Sequence, residues 1–400
     1  MSQKTVIPVG PYHPLQEEPE FFELEVEGEK VTDINVNIGY NHRGIEKIAE
    51  SKTFDQMVFL VERICGICST SHPIANCNAV EDLAGIEIPE RAKYIRSIVG
   101  ELERLHSHLL WVGLAGHFIG YNTLWMWAWK YREPVLDLFE AVTGNRNHYA
   151  MMRPGGVRQD IEEGAIPVLL KGLGEAERKI EMVTKAVLDD PVLAARLKGV
   201  GILPKEEAIN YCALGPTARA SGVDIDVRKD EPYAAYGLVD WKIITQEDGD
   251  VFAKAVVRLL ECFESIKIIR QCLKKLKSAN GDIAVQIKEY PPGEGIGHHE
   301  APRGETFHYI RSDGSNMPVR LKVRAPSYSN LPTCKVTVPG ESVADATLIL
   351  ASIDPCYCCT ERMARVVDRK RRREWGWEEL LRLSRKKTER IKKGMGISHE

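Results

Sequence analysis

The sequence predicts an α+β fold that is mainly helical. Three long stretches, at about 89–131, 161–188 and 251–276, carry apolar residues at helical spacing. Alternating apolar residues at 21–38 and 282–338 predict β structure instead. These two periods place the apolar side chains on one face of a helix or of a strand. We therefore expect a central bundle of long helices, an N-terminal β-hairpin and a second β region before the C-terminal motif.

The N-terminal hairpin is predicted from two alternating runs on either side of Gly28-Glu29. The apolar positions of the two runs are Phe22, Leu24, Val26, Ile34, Val36 and Ile38. Upstream, Gly10-Pro11-Tyr12-His13-Pro14 is punctuated by proline and predicts a loop.

The helical core is predicted at 51–276. One apolar helix face near its start comprises Phe54, Met57, Val58 and Val61. Gly66 lies just after this helix and would let the backbone turn. Pro89 is predicted to open the first long helix, and Pro134 a further one, because proline is favoured at a first helical position. Gly, Pro and Asp are frequent at 203–241, which predicts loops.

The chain is predicted to change to β structure after the long helices. Ile283, Val285 and Ile287 alternate, and the turn sequence Ser312-Asp313-Gly314-Ser315-Asn316 separates two further apolar runs. A final helix at about 344–353 opens a C-terminal segment, 344–362. Since no repeat or low-complexity linker divides the chain, we predict one domain at 1–362 and a basic extension at 363–400.

Composition and charge exclude some functions. With 400 residues, a formal charge of -3 and a pI near 6.5, the chain gives no reason to expect nucleic acid as a partner. We find neither a signal peptide nor a run of about 18 uncharged apolar residues that could form a membrane helix. We predict a cytoplasmic chain that docks peripherally on a membrane complex. Ten cysteines in such a chain indicate metal binding before disulfides.

Two C-x-x-C pairs lie almost at opposite ends of the chain. Cys65 and Cys68 form the first, and Cys356 and Cys359 form the second. Four thiolates make a four-sulfur site, and soft sulfur ligands select zinc, iron-sulfur clusters, copper or a nickel-iron centre. Cys358, between the second pair, is either a small buried side chain or a reactive group. We predict core or surface thiols at Cys77, Cys212, Cys262, Cys272 and Cys334.

The cysteine count alone favours a structural zinc site, but three features argue against it. Zinc ribbons place their pairs about 15–20 residues apart, whereas these pairs bracket most of the chain. His72 follows Cys68 in a C-x-x-x-H spacing, and Asp354-Pro355 precedes the second pair. A charged motif at 300–305 also lacks an obvious structural task.

The motifs R-x-C-G-x-C-x-x-x-H at 63–72 and D-P-C-x-x-C at 354–359 resemble the two signatures of the nickel-iron hydrogenase large subunit. The likeness extends over 10–362 and implies the fold of that subunit. It implies that Cys65, Cys68, Cys356 and Cys359 bind nickel. Of these, Cys68 and Cys359 would bridge to an iron that carries carbon monoxide and cyanide.

The segments at 10–19, 39–44, 101–108, 215–219 and 300–305 resemble the compact, energy-converting branch of these hydrogenases, which is related to respiratory complex I. Gly44-Ile45-Glu46-Lys47, which follows His42, is similar to the quinone-site loop of complex I. His42 would here belong to a coupling loop that faces the membrane subunits. Complex I subunits lack the four nickel ligands. The resemblance therefore implies hydrogen chemistry rather than quinone chemistry.

The resemblance also implies catalytic roles. Cys359 would take the first proton and Glu18 would be the gate carboxylate beyond it, unless Glu18 is simply a surface residue. Arg303 would lie over the open metal position, although a structural salt bridge with Glu300 or Glu305 is an alternative.

Two further residues would support the ligands. His72 would donate a hydrogen bond to a cysteine sulfur, and Asp354 would act through Arg63 or Arg303. The histidine pairs at 106 and 108 and at 298 and 299 are interpreted as helix packing and as a polar loop.

No iron-sulfur motif remains in the chain once the four ligands are assigned. The implied partners are a small subunit with a 4Fe-4S cluster, a ferredoxin-type electron carrier and membrane subunits that translocate ions. A maturation protease would cut after Arg362 and release 363–400; alternatively this basic segment is retained as a helix that contacts a partner or anionic lipid.

Two other functions stay open. The first is a complex I-like large subunit that reduces a quinone or a sulfur compound. The second is a zinc-stabilised structural subunit.

Overall fold

The computed structural model describes residues 5–14, 16–279, 281–360, 366–368, 373–375 and 377–395.

The N-terminal sheet has three antiparallel strands. The strands are β1 (Thr5–Val9), β2 (Phe21–Glu27) and β3 (Lys30–Asn37), in the order β1-β2-β3. The predicted hairpin is confirmed as β2 and β3, with Leu24 opposite Ile34 in the register. The sequence pattern did not predict β1, which pairs with β2.

Three helices surround the first cysteine pair. They are α1 (Ile45–Ala49), α2 (Phe54–Glu62) and α3 (Ser71–Ala84). Thr53 caps α2 in a capping box with Gln56, and the predicted apolar face of this helix is buried. The backbone bends at Gly66, as predicted, although this glycine does not adopt a positive φ.

Long helices form the centre of the molecule. The elements of this part, in chain order, are α4 (Glu90–Phe118), α5 (Asn122–Thr143), β4 (Met152–Arg153), β5 (Gly156–Val157), α6 (Ala165–Leu188), α7 (Pro191–Leu197), α8 (Lys205–Asn210), α9 (Gly215–Arg219), α10 (Val227–Asp230) and α11 (Val251–Leu276). Pro89 is the N-cap of α4, as predicted. Buried apolar residues of α4, α5, α6 and α11 form the largest core cluster.

Two predictions for this part are wrong. Pro134 does not open a helix but lies inside α5. It removes one helical hydrogen bond, and the burial of Val135, Leu138 and Phe139 on the same helix compensates for the loss. The segment 203–241 is not made of loops alone, because α8, α9 and α10 lie within it.

The second sheet is also antiparallel, and it leads to the second cysteine pair. Its strands are β6 (Pro292–Ala301), β7 (Gly304–Asp313) and β8 (Pro318–Arg324), in that order. Pro302 and Arg303 alone form the turn between β6 and β7. The helices that follow are α12 (Pro326–Asn330), α13 (Cys334–Thr337) and α14 (Val343–Ser352).

The predicted β region at 282–338 is therefore too long at both ends. At its start, only Ala284 forms an isolated bridge, with Gly156. At its end, α12 and α13 replace β structure, since Pro326 starts a helical turn that an alternating pattern does not reveal.

The basic extension forms β9 (Val366–Asp368), β10 (Arg373–Trp375) and α15 (Trp377–Gly394). Residues 382–395 are all exposed. The predicted cleavage point after Arg362 lies outside the described residues, and the division into 1–362 and 363–400 stays a prediction.

Helix α3 approaches the second sheet unusually closely because two glycines of β6 face it. A Cβ atom on Gly297 would lie 2.2 Å from the Ala75 carbonyl oxygen, and one on Gly295 would lie 2.1 Å from the Ala79 carbonyl oxygen. Any side chain at these positions would push the helix away from the sheet. Gly297 is opposite His308 in the strand register, so the same contact brings α3 to the His308 side chain.

We predict that Gly297→Ala lowers the free energy of unfolding by about 1–3 kcal/mol, because the added methyl group overpacks the junction of α3 and β6. Gly174→Ala is the control: this glycine lies inside α6 with nothing within 4 Å of an added Cβ. The control should raise stability by up to about 1 kcal/mol, since alanine favours the helix. Thermal unfolding followed by circular dichroism measures both, and equal melting temperatures for Gly297→Ala and wild type would contradict the packing argument.

Candidate metal centre

The two cysteine pairs meet in the interior. The Cys356 sulfur lies 3.1 Å from that of Cys65 and 3.0 Å from that of Cys359, and no disulfide joins them. The sulfur atoms of these three residues all lie within 4.8 Å of one another. The thiol of Cys68 contacts Cys65, and its backbone N–H donates to the Cys65 sulfur at 3.1 Å. All four predicted ligands therefore lie in the interior: Cys65, Cys356 and Cys359 form a compact group, and Cys68 adjoins this group through Cys65.

The remaining cysteines lie elsewhere. Cys358 is half-buried, and burial raises the pKa of its thiol far above the usual value. Cys212 is exposed. The other four are buried free thiols in the core, at Cys77, Cys262, Cys272 and Cys334.

Helix ends and hydrogen bonds position the second pair. Asp354 turns the chain after α14 with a left-handed backbone, at φ 59°. The backbone N–H of Cys356 donates to the Ser327 hydroxyl at 2.9 Å, and that of Cys358 donates to Glu18 Oε2 at 2.6 Å. Oε2 of Glu18 also lies 3.9 Å from the Cys356 sulfur. The loop before β2 thus places Glu18 directly beside the cluster.

Arg43 joins the two cysteine loops, a role that sequence reasoning missed. Its guanidinium group donates to the carbonyl oxygens of Arg63 and Ile64, both at 2.8 Å, and to that of Cys358 at 3.4 Å. The neighbouring His42 is exposed in the same loop.

Arg303 reaches the cluster from the turn between β6 and β7. Its Nη1 atom lies 3.6 Å from the Cys68 sulfur and donates to the Ser107 hydroxyl at 3.1 Å. Its Nη2 atom donates to Asp354 Oδ1 at 2.6 Å, and its Nε atom to the Asp354 carbonyl oxygen at 2.6 Å. Both side chains are about 1% exposed. Burial would lower the pKa of Arg303, but the charge of Asp354, together with those of Cys68, Cys356 and Glu17, raises it well above its usual value and keeps the guanidinium ionised.

The alternative salt bridges proposed for Arg303 are wrong. Glu300 pairs with Arg219 at 2.7 Å, and Glu305 pairs with Arg324. Of the two arginines considered for Asp354, Arg303 is the partner; Arg63 pairs with Glu62 instead.

His72 contacts the cluster from α3. Its Nε2 atom lies 3.4 Å from the Cys359 sulfur, and its Nδ1 atom lies 3.1 Å from His308 Nε2. Glu103 of α4 holds the start of α3: it accepts hydrogen bonds from the backbone N–H groups of Thr70 and Ser71 and from the Ser71 hydroxyl. Burial raises the pKa of Glu103 to about 8. A carboxyl group from another helix thus caps the helix that carries His72.

The other histidines pack in three ways. His106 Nε2 bonds the Ile67 carbonyl oxygen at 3.1 Å, so this histidine supports the first cysteine loop as well as the helix packing. His108 Nε2 bonds Glu261 at 2.8 Å inside the core. The prediction of a polar loop for His298 and His299 is wrong, because both lie in β6.

A buried network of ionised side chains backs the Arg303 turn. Burial alone would raise the pKa of Glu101, but Arg104 and Arg228 hold it well below its usual value. Glu261 behaves in the same way beside Arg219. Such groups are tolerated only because each is paired, since removing one partner strands a buried charge.

The donor set fits a soft metal centre. It consists of four thiols from two loops, buried and free of disulfides, with one buried cation beside them. Thiolate ligands are anionic, so a nearby guanidinium stabilises their charge.

A family model described as "Respiratory-chain NADH dehydrogenase, 49 Kd subunit" matches residues 119–289 and 282–362, and one described as "Nickel-dependent hydrogenase" matches residues 43–113. The chain belongs to the family of complex I 49 kDa subunits and nickel-iron hydrogenase large subunits. The two descriptions cover the segments that carry the second and the first cysteine pair.

Relatives within this family carry different activities in their names. The chain is 42% identical to the "Membrane-bound hydrogenase subunit alpha" of Pyrococcus furiosus, over 96% of this chain and 93% of that one. It is 40% identical to an F(420)H(2) dehydrogenase subunit of Methanosarcina mazei, over 90% and 98% of the two chains. A subunit of an archaeal membrane-bound sulfane sulfur reductase has a TM-score of 0.85 at 31% identity, over 90% and 98%.

This family membership makes the chain an oxidoreductase-family protein. Its relatives include subunits of a membrane-bound hydrogenase and of a respiratory membrane complex. The structural match also confirms the predicted fold class. Among the described residues, none of the helices has the length and apolar character needed to cross a membrane.

Proposed function

We propose that this chain is the catalytic subunit of an energy-converting nickel-iron hydrogenase that forms or oxidises H2 reversibly. Electrons would pass between the site and a ferredoxin-type carrier through a partner subunit with a 4Fe-4S cluster. Membrane partners would couple the reaction to ion translocation, with this chain bound peripherally on the cytoplasmic side. The observation that carries the proposal is the buried cluster of four thiols beside Glu18 and Arg303.

Cys65, Cys68, Cys356 and Cys359 would hold the metals, and the family resemblance implies that Cys68 and Cys359 would be ligands of both. A nickel-iron centre with carbon monoxide and cyanide on its iron supplies the two-electron chemistry of H2 when bound. The chain contributes four buried sulfur donors and a fixed cation. Hydrogen bonds to Asp354 and Ser107 fix the position of the Arg303 guanidinium. We propose that this cation polarises bound hydrogen or orients the diatomic ligands.

Glu18 is proposed as the group that moves protons between the cluster and solvent. Its carboxylate lies beside the Cys356 sulfur on one side and lines an open pocket on the other. Burial raises the pKa of Glu18, so this carboxyl group takes up and releases a proton at a pH closer to the physiological value. This geometry favours Cys356 as the sulfur that exchanges a proton with Glu18. Cys359, for which the family resemblance implies this role, contacts His72 instead.

A second candidate is an electron-transfer subunit that reduces a quinone or a sulfur compound. The likeness to subunits of a sulfane sulfur reductase and of an F(420)H(2) dehydrogenase favours it. The four cysteines argue for the hydrogenase, because the reduction of a quinone does not require a group of thiols at the site. His42 is proposed to lie in a loop that faces membrane subunits. A zinc-stabilised structural subunit is the third candidate.

We predict that the purified subunit, in its complex, contains nickel and iron in about equal amounts and absorbs in the infrared region of bound carbon monoxide and cyanide. Cys359→Ser should lose the metals and H2 turnover, because a serine oxygen is a poor ligand for a soft metal. Cys212→Ser is the control, since Cys212 is exposed and away from the cluster. Zinc alone, or full activity in Cys359→Ser, would overturn the assignment. Quinone or sulfur reduction without H2 turnover would support the second candidate.

We predict that Glu18→Gln keeps the nickel and iron but stalls proton exchange, because the amide cannot bind and release a proton. Mass-spectrometric detection of H2/D2O exchange should show a loss of about 100-fold or more, since a positioned acid–base group contributes at least that much. Glu27→Gln, at the exposed end of β2, should exchange like wild type. A Glu18→Gln variant that exchanges at the wild-type rate would rule out this carboxylate as the proton gate.

We propose that the extension at 363–400 is removed once the metal is inserted. We predict that mass spectrometry of the nickel-loaded subunit finds a C-terminus at Arg362, whereas the metal-free form keeps Glu400. An intact C-terminus in the loaded subunit would favour the alternative, in which the exposed basic helix α15 is retained to contact a partner or anionic lipid.

A further inference from the structure

A row of buried side chains leads away from Cys359 into the protein. It runs from His72 of α3 to His308 of β7 and ends at Asn76 of α3. The Asn76 Nδ2 atom lies 3.5 Å from His308 Nδ1. All three side chains are at most 1% exposed. Of these three residues, the sequence predicted a role only for His72, because His308 and Asn76 belong to no motif.

Each hydrogen bond in this row fixes the direction of the next. The amide nitrogen of Asn76 can only donate, so His308 Nδ1 is the acceptor and the ring hydrogen of His308 is on Nε2. His308 Nε2 then donates to His72 Nδ1, which places the hydrogen of His72 on Nε2. That nitrogen faces the Cys359 sulfur.

The Cys359 sulfur, at the other end of the row, requires the same assignment of hydrogen-bond donors and acceptors. A thiolate that binds a metal has lone pairs but no hydrogen, so it can only accept a hydrogen bond. His72 Nε2 must therefore donate to Cys359, and His72 Nδ1 must accept from His308. The amide at one end and the thiolate at the other are consistent with a single arrangement of hydrogens.

We propose that His308 and Asn76 are positioning residues that hold His72 in the tautomer that donates to the Cys359 sulfur. A hydrogen bond on a ligating atom withdraws electron density from it, and so tunes the metal. The inference rests on the proposed function, because it assigns Cys359 as a metal-bound thiolate. It goes beyond that function by assigning tasks to two residues outside both cysteine motifs.

The fold builds this row from one helix and one strand. His72 and Asn76 lie one turn apart on α3 and so share a face. His308 spans them with its two ring nitrogens. It can do so because Gly297, opposite His308 in the sheet, has no side chain to keep α3 away.

The test is the infrared position of the carbon monoxide band in the purified, metal-loaded complex. His308→Phe keeps a ring but cannot donate to His72, so the Cys359 sulfur should give more electron density to the metal and the band should move to lower wavenumber. His308→Gln should restore the band toward its wild-type position, since its amide N–H can donate to His72 Nδ1. His298→Phe, on the neighbouring strand and away from the cluster, is the control and should leave the band unchanged.

A band at the wild-type position in His308→Phe would overturn the inference while the proposed function stands. A wild-type complex with no such band would overturn both. If His308→Phe does not fold or load metal, Asn76→Ala provides the test, because it leaves both imidazole rings in place. A smaller shift of the same sign would then support the inference, and an unchanged band would overturn it.

Discussion

The buried ion pair between Arg303 and Asp354 connects the parts of the molecule that build the site. It joins the turn between β6 and β7 to the loop after α14, and it reaches α4 through Ser107. A guanidinium that is out of water costs several kcal/mol unless its partner is in place. The second sheet must therefore deliver its turn to the C-terminal loop. Gly215 makes room for this, because a Cβ there would lie 2.4 Å from the Arg303 carbonyl oxygen.

Sequence was sufficient for the helix α11 and for the cysteines that converge in the structure. The periodicity of 251–276 predicted α11 with its observed bounds, because a long amphipathic helix repeats its signal over many turns. The cysteines were found because two short spacings specify soft-metal chemistry almost independently of the fold. In both cases the signal is local, or it depends on residue type alone.

What sequence missed depends on contacts between distant segments. Arg43 lies 315 residues from Cys358, and His308 lies 236 residues from His72. Neither arginine nor histidine has a pattern that shows which carbonyl or ring it will meet. Pro134 was misplaced for a related reason: its local preference for a first helical turn is overridden by the burial of α5. The close approach of α3 to β6 could have been suspected from Gly295 and Gly297, which are spaced to lie on one face of a strand.

The side chains on the two sides of the thiol cluster differ in burial and in hydrogen bonding, and this difference suits them to different roles. On the inner side, Arg303 and His72 are buried and held by further hydrogen bonds, so they can set the charge around the sulfurs but cannot exchange with solvent. On the outer side, Glu18 is half-buried in a loop that lines an open pocket. This position, between the cluster and the pocket, is the basis for proposing Glu18 as the proton route. Arg43 strengthens this outer side by holding both cysteine loops through their carbonyl oxygens, and it does so without lining the pocket through which the protons would pass.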